Sequence, residues 1–81
     1  MTPIRSFEVE LPTGIHWLTR NNFLLTTTNK ISVYTLQGWM SDINVEINGI
    51  IVNSCILEDN LLLCTDLGTI YWIKVSEDYF E

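Results

Sequence analysis

His16 is the sole histidine in this chain of 81 residues, and it is the natural first candidate for chemistry. An imidazole can act as a general base or ligate zinc near neutral pH. Either role needs company: a nucleophile with an orienting acid, or further Cys and His at ligand spacing. The sequence around His16 offers neither, so a structural role is the better reading. Cys55 and Cys64 form no CxxC pair and lack cationic neighbours that would lower a thiol pKa. Each lies in an apolar run, which suggests reduced thiols buried in the core as small hydrophobes; a disulfide between them is the lesser alternative. Asp66 precedes Leu67-Gly68 without the further carboxylates of a calcium loop, and turn formation accounts for it. Glu58 and Asp59 are adjacent, and neighbours on a strand or turn point apart, a poor arrangement for paired acid–base work. No glycine-rich phosphate loop and no nucleophile motif occurs. These residues point to no enzyme, no cofactor and no metal centre.

Protein binding is better supplied. Trp39-Met40 follows Gly38 in a loop-like stretch, where an exposed pair would anchor an interface. Partial burial against the chain's own sheet is the alternative. Trp72 lies between Tyr71 and Ile73 in an apolar run and reads as core. Residues 76–81 are acidic with two aromatics, a solvated tail or an edge strand in which Tyr79 and Phe80 could hold a partner's groove. Trp39, Met40, Tyr79 and Phe80 are therefore the expected partner-binding residues.

Composition narrows the partner. Hydrophobic residues make up 47% of the chain and charged ones 17%, much apolar surface for one small domain to hide. Some of it is expected to be buried against another protein or another copy of the chain. Arg5, Arg20, Lys30 and Lys74 are scattered and the net charge is −6. A nucleic-acid backbone or an anionic membrane needs clustered cations, so neither is an expected partner. Residues 2–10 hold a proline, an arginine and two glutamates, which is no signal peptide, and no apolar run reaches the length of a membrane span. Cytoplasm or nucleus is the expected location.

The elements that must position these residues are strands. Helical periodicity is absent, whereas short apolar runs and alternation recur between turn residues. Strands are expected at residues 6–11, 15–18, 23–28, 31–36, 43–47, 50–57, 61–65 and 69–75. Asn29-Lys30 reads as a two-residue hairpin turn. Asn48-Gly49, a strong hairpin signal, predicts direct pairing of 43–47 with the following strand. Several strands are apolar on both sides and must be covered on both faces.

An internal echo organises these strands. Asn22-Phe23-Leu24-Leu25-Thr26-Thr27 returns as Asn60-Leu61-Leu62-Leu63-Cys64-Thr65, a spacing of 38 residues. Ile31-Ser32-Val33-Tyr34 follows the first and Ile70-Tyr71-Trp72-Ile73 the second. Periods near 40 residues mark stacked units such as four-stranded propeller blades. The run from Asn60 through Asp66-Leu67-Gly68-Thr69-Ile70-Tyr71-Trp72-Ile73 resembles the middle hairpin of a WD40-like β-propeller blade, and residues 22–36 resemble a degenerate second copy. The family's Gly-His and Trp-Asp dipeptides are missing, so the resemblance is to divergent propellers. It implies inner strands at 15–18 and 52–56, an exposed outer strand at 43–47, and a non-catalytic scaffold subunit of a larger assembly. Two blades cannot close a ring that typically takes four to eight.

The expected fold is a single all-β antiparallel domain, with two four-stranded units at about 13–47 and 50–81. A small meander β-barrel or sandwich is the alternative, favoured by Asn48-Gly49. The expected function is a protein–protein interaction or scaffold module, part of or completing a propeller. The alternative is a small barrel binding a ligand or single-stranded nucleic acid.

Overall fold

A computed structural model describes residues 6–80. Among them, the apolar runs bounded by turn residues form seven strands: β1 (Pro12–Trp17), β2 (Asn22–Thr27), β3 (Ile31–Thr35), β4 (Gly38–Asp42), β5 (Ile51–Leu57), β6 (Asn60–Thr65) and β7 (Ile70–Lys74). The architecture is all-β. One antiparallel sheet has the order β1-β2-β3-β4 and the other β5-β6-β7, and no closed barrel forms among the described residues. Each sheet is a simple meander, because short turns join strands that are already neighbours. The second unit thus has three strands rather than the expected four.

The core lies between the sheets. Leu24 and Ile31 from the first sheet meet Ile51, Leu61 and Leu63 from the second, with Val75 beside them. Each such side chain contributes roughly 2 kcal/mol by leaving water. The sheets touch mainly where β1 lies against β5. The backbone N–H of Ile51 also donates to the carbonyl of Thr28 at 2.8 Å, tying β5 to the β2–β3 turn. That turn is held by the Thr27 hydroxyl, which accepts from the Lys30 N–H at 3.1 Å.

Three sequence expectations give way here. Residues 6–9 alternate like a strand but form none. They cross the outer face of the first sheet as an arm, with the Phe7 ring 6.1 Å from Phe23 and 5.6 Å from Tyr34. Residues 43–47 also form no strand. The fourth strand of the first sheet is β4, because Leu36-Gln37 makes a hairpin turn and Gly38 supplies the φ of +134° that starts the return strand. Ile43 and Ile47 then pack on the core while Val45 is exposed, a pattern of a connection crossing between sheets. Asn48-Gly49 belongs to that connection and does not pair β4 with β5. Gly49 has φ +93°, and a Cβ there would lie 2.7 Å from Asp66 Oδ1. Asp66 accepts from the Ile50 N–H at 2.8 Å, so it fastens the connection to the β6–β7 turn instead of serving its own downstream backbone.

Beyond β7, residues Glu77–Phe80 form a 3₁₀ helix, neither a frayed tail nor an edge strand. Glu81 lies outside the described residues. Tyr79 and Phe80 pack on the core.

Candidate interaction surface

His16 sits on β1 beside Ser54 of β5, with Nε2 2.8 Å from the serine hydroxyl. The relay continues from Ser54 Oγ to Thr26 Oγ1 at 3.0 Å, and from there to Thr13 Oγ1 at 3.0 Å. Four side chains from β1, β2 and β5 thus join the two sheets through polar contacts. Gly14 makes the close approach possible: a Cβ at that position would collide with Ser54 Oγ and lie 2.9 Å from Thr26 Oγ1. Burial holds the His16 pKa below its ordinary value of 6.5, because a charged imidazole would lose water there. The His–Ser distance suits proton transfer. However, Ser54 is also engaged by Thr26, and the hydroxyls extend the relay between the strands. The arrangement suits a cross-sheet clamp. Ser54 is its centre, and nothing in the sequence around it marks that role, because its partners lie on β1 and β2.

The outer face of the first sheet is aromatic. Phe23 and Tyr34 stack at 5.5 Å, and Trp17 meets Phe23 edge-on at 5.7 Å. The Phe7 arm lies over them. A groove of about 320 Å³ remains beside the arm, lined by Phe7, Ile15, Phe23, Leu25 and Tyr34 among others. On the arm's other side, an open hollow reaches Trp39 and Asp42.

Trp39 and Met40 lie on edge strand β4 and are 61% and 41% exposed. Trp39 is exposed but not loose, since its Nε1–H donates to Asp42 Oδ1 at 2.9 Å. Ser32 Oγ donates to the same oxygen at 2.7 Å. The two hydrogen bonds, Trp39 first, hold the Asp42 carboxyl below its ordinary pKa, and Lys30 adds a favourable charge. An aromatic anchor held in place in advance loses less entropy when a partner covers it. Tyr79 and Phe80 are placed differently. Both are half-buried, Tyr79 Oη lies 2.9 Å from Ser41 Oγ on β4, and the Tyr79 carbonyl accepts from Asn22 Nδ2 at 3.2 Å. They brace the chain's own sheets.

The outer face of the second sheet carries what the sequence assigned to the core. Strand alternation sends Leu61, Leu63 and Thr65 inward and leaves Leu62 and Cys64 half-buried on the other side. Cys55 pairs with Leu62 in register, and Leu62 with Trp72, so Cys55 and Trp72 face outward too. Both cysteines are free, Cys55 is exposed, and neither joins the buried core. Trp72 is 73% exposed, Leu57 72%, Ile70 65% and Val52 53%. A short donor contact from Trp72 Nε1–H to Asn60 Oδ1, 2.9 Å, orients the indole across this face.

No protein-family model matches the chain, and no curated protein and no solved structure is significantly similar to it. Among the described residues, no group of three or more His, Cys, Asp or Glu could hold a metal ion, and no helix is long and apolar enough to cross a membrane.

Proposed function

We propose that this chain is a non-catalytic protein–protein interaction module, a scaffold subunit that works by joining its exposed apolar sheet faces and strand edge to other protein surfaces. The observation that carries the reading is the three-stranded sheet β5-β6-β7, whose outward side is apolar and bare among the described residues. Soluble monomers rarely leave such a face open to water. Trp39 and Met40 on β4 provide a second, smaller anchor, with Trp39 held ready by Asp42. Stacked sheets of this kind suit a β-propeller to which the chain contributes its two units, and its free thiols suit the cytoplasm or nucleus. Tyr79 contributes indirectly, through its hydroxyl contact with Ser41 on the edge strand that bears Trp39, and Phe80 packs on the core.

The test is in-cell cross-linking of the tagged chain at native abundance, with a Trp39→Ala/Met40→Ala variant and a Trp72→Lys variant beside it. The wild type should be recovered with a stoichiometric protein partner or with further copies of itself, and at least one variant should lose that recovery. A wild-type chain recovered alone would contradict the proposal.

A further inference from the structure

We propose that the outer face of the second sheet docks on the outer face of the first sheet of a second copy of this chain, head to tail; this rests on the interaction reading of those faces. The sequence echo supplies the reason. Aligning Asn22–Thr27 with Asn60–Thr65 residue for residue matches Leu24 and Thr26 with Leu62 and Cys64, and Phe23 and Leu25 with Leu61 and Leu63. Within the chain, the Leu24 side of the first sheet packs against the Leu61–Leu63 side of the second. The internal joint therefore unites two different faces of one repeated unit. Each of those faces has a counterpart that looks outward: Leu62 and Cys64 on the second sheet, Phe23 and Leu25 on the first. On the first sheet the Phe7 arm already covers Phe23 and Leu25, so a second copy would meet that face where it stays open, at Ile15, Trp17 and the groove beside the arm.

Area and charge agree. At roughly 150–250 Å² for a large side chain, the exposed parts of Val52, Leu57, Ile70 and Trp72 amount to roughly 500 Å². Leu62 and Cys55 extend the patch toward the roughly 800 Å² per partner of a stable interface. On the receiving side, Ile15 and Trp17 are exposed beside the groove that Phe7 leaves open. Strands β5, β6 and β7 contain no carboxylate and one lysine, Lys74, whose amine is 3.6 Å from Asp59 and largely exposed. The arm over the first sheet carries Glu8 and Glu10. A head-to-tail contact sets the face with the amine against the acidic arm, whereas joining two copies of the same face would oppose two amines in a chain whose net charge is −6.

Complementation of two variants of the full chain tests the arrangement. Trp72 and Ile15 are both exposed, so Trp72→Lys and Ile15→Lys leave the core intact, which circular dichroism and urea melts would verify. In light scattering at high micromolar concentration, the wild type should exceed a dimer or close a ring, since each copy offers both the bare face of the second sheet and the surface of Ile15 and Trp17 beside the arm. Each variant alone should be monomeric. An equal mixture should give dimers and nothing larger, because each variant retains one sound face. Loss of association in Trp72→Lys but not in Ile15→Lys would overturn the head-to-tail contact in favour of like faces meeting. Association that neither substitution disturbs would also overturn it. A monomeric wild type would overturn it as well, while a different protein captured through Trp72 would leave the interaction reading standing.

Discussion

Strands β2 and β6 are the two halves of the sequence echo, and they meet different fates. All six residues of β2 are buried. In β6, only Leu61, Leu63 and Thr65 are, in strict alternation. The difference does not come from the strands, which are close to identical in pattern. It comes from what lies over them. The Phe7 arm and the rings of Trp17 and Tyr34 cover β2 on its outer side, whereas no such cover lies over Leu62 and Cys64 among the described residues. A repeated sequence thus makes two equivalent units, and only one has its second neighbour within the described chain. The uncovered unit is the face to which the proposed neighbour is assigned.

This comparison breaks most readily at the core, where the two strands should be alike. Leu24→Ala and Leu63→Ala each remove a fully buried side chain, and each should cost about 2–5 kcal/mol. Leu62→Ala, on the half-buried side of β6, should cost about 1 kcal/mol, and urea denaturation would separate the three. Equal losses at Leu62 and Leu63 would mean that the outer face of the second sheet is covered after all. Next in size is Gly14→Ala, whose added methyl must displace Ser54 or Thr26; overpacking of this kind costs about 1–3 kcal/mol. A neutral result would show that the clamp joining the sheets is slack.

Phe7→Ala sharpens the comparison by making the first sheet resemble the second. It removes one aromatic contact layer over Phe23 and Tyr34 and should cost about 1–2 kcal/mol in urea melts. It should also raise binding of an apolar fluorescent dye, since a second bare face is opened. The smallest effect is on pH dependence. Because burial lowers the His16 pKa, the unfolded chain takes up its imidazole proton first as pH falls. Stability from this source is full above the unfolded value of 6.5 and declines as pH falls below it toward the folded value. Chemical denaturation across that range should show the decline in the wild type, and His16→Gln should flatten it.

Much of the fold was legible because strand signals are local. Apolar runs, threonines and turn residues marked β2, β3, β5, β6 and β7, and the echo showed that two of them are equivalent. Residues 6–11 and 43–47 misled for a shared physical reason. Alternation shows that side chains point to opposite sides, but a strand also needs a partner for its backbone, and these segments cross sheet faces or run between sheets. Asn48-Gly49 carries its turn signal correctly, since Gly49 has positive φ, yet the chain it turns enters a different sheet. At the surface, Trp39 and Met40 were visible as an apolar pair after a glycine. Trp72 and Cys55 were not, because an apolar run gives no sign of which parity faces inward; Leu61 and Leu63 settle that only once the sheets are stacked. Ser54 and its clamp depend on two strands distant in sequence, a relation that no single segment displays.

The central claim is that the outer face of the second sheet is a contact face between copies of this chain, and Cys55 reports on it directly. The thiol is exposed on that face and can be followed by mass spectrometry as it is alkylated. The rate for the wild-type chain should fall strongly from low to high micromolar concentration as copies cover one another, and should stay high throughout for Trp72→Lys. A Cys55 alkylation rate unchanged over that range in the wild type would contradict the account.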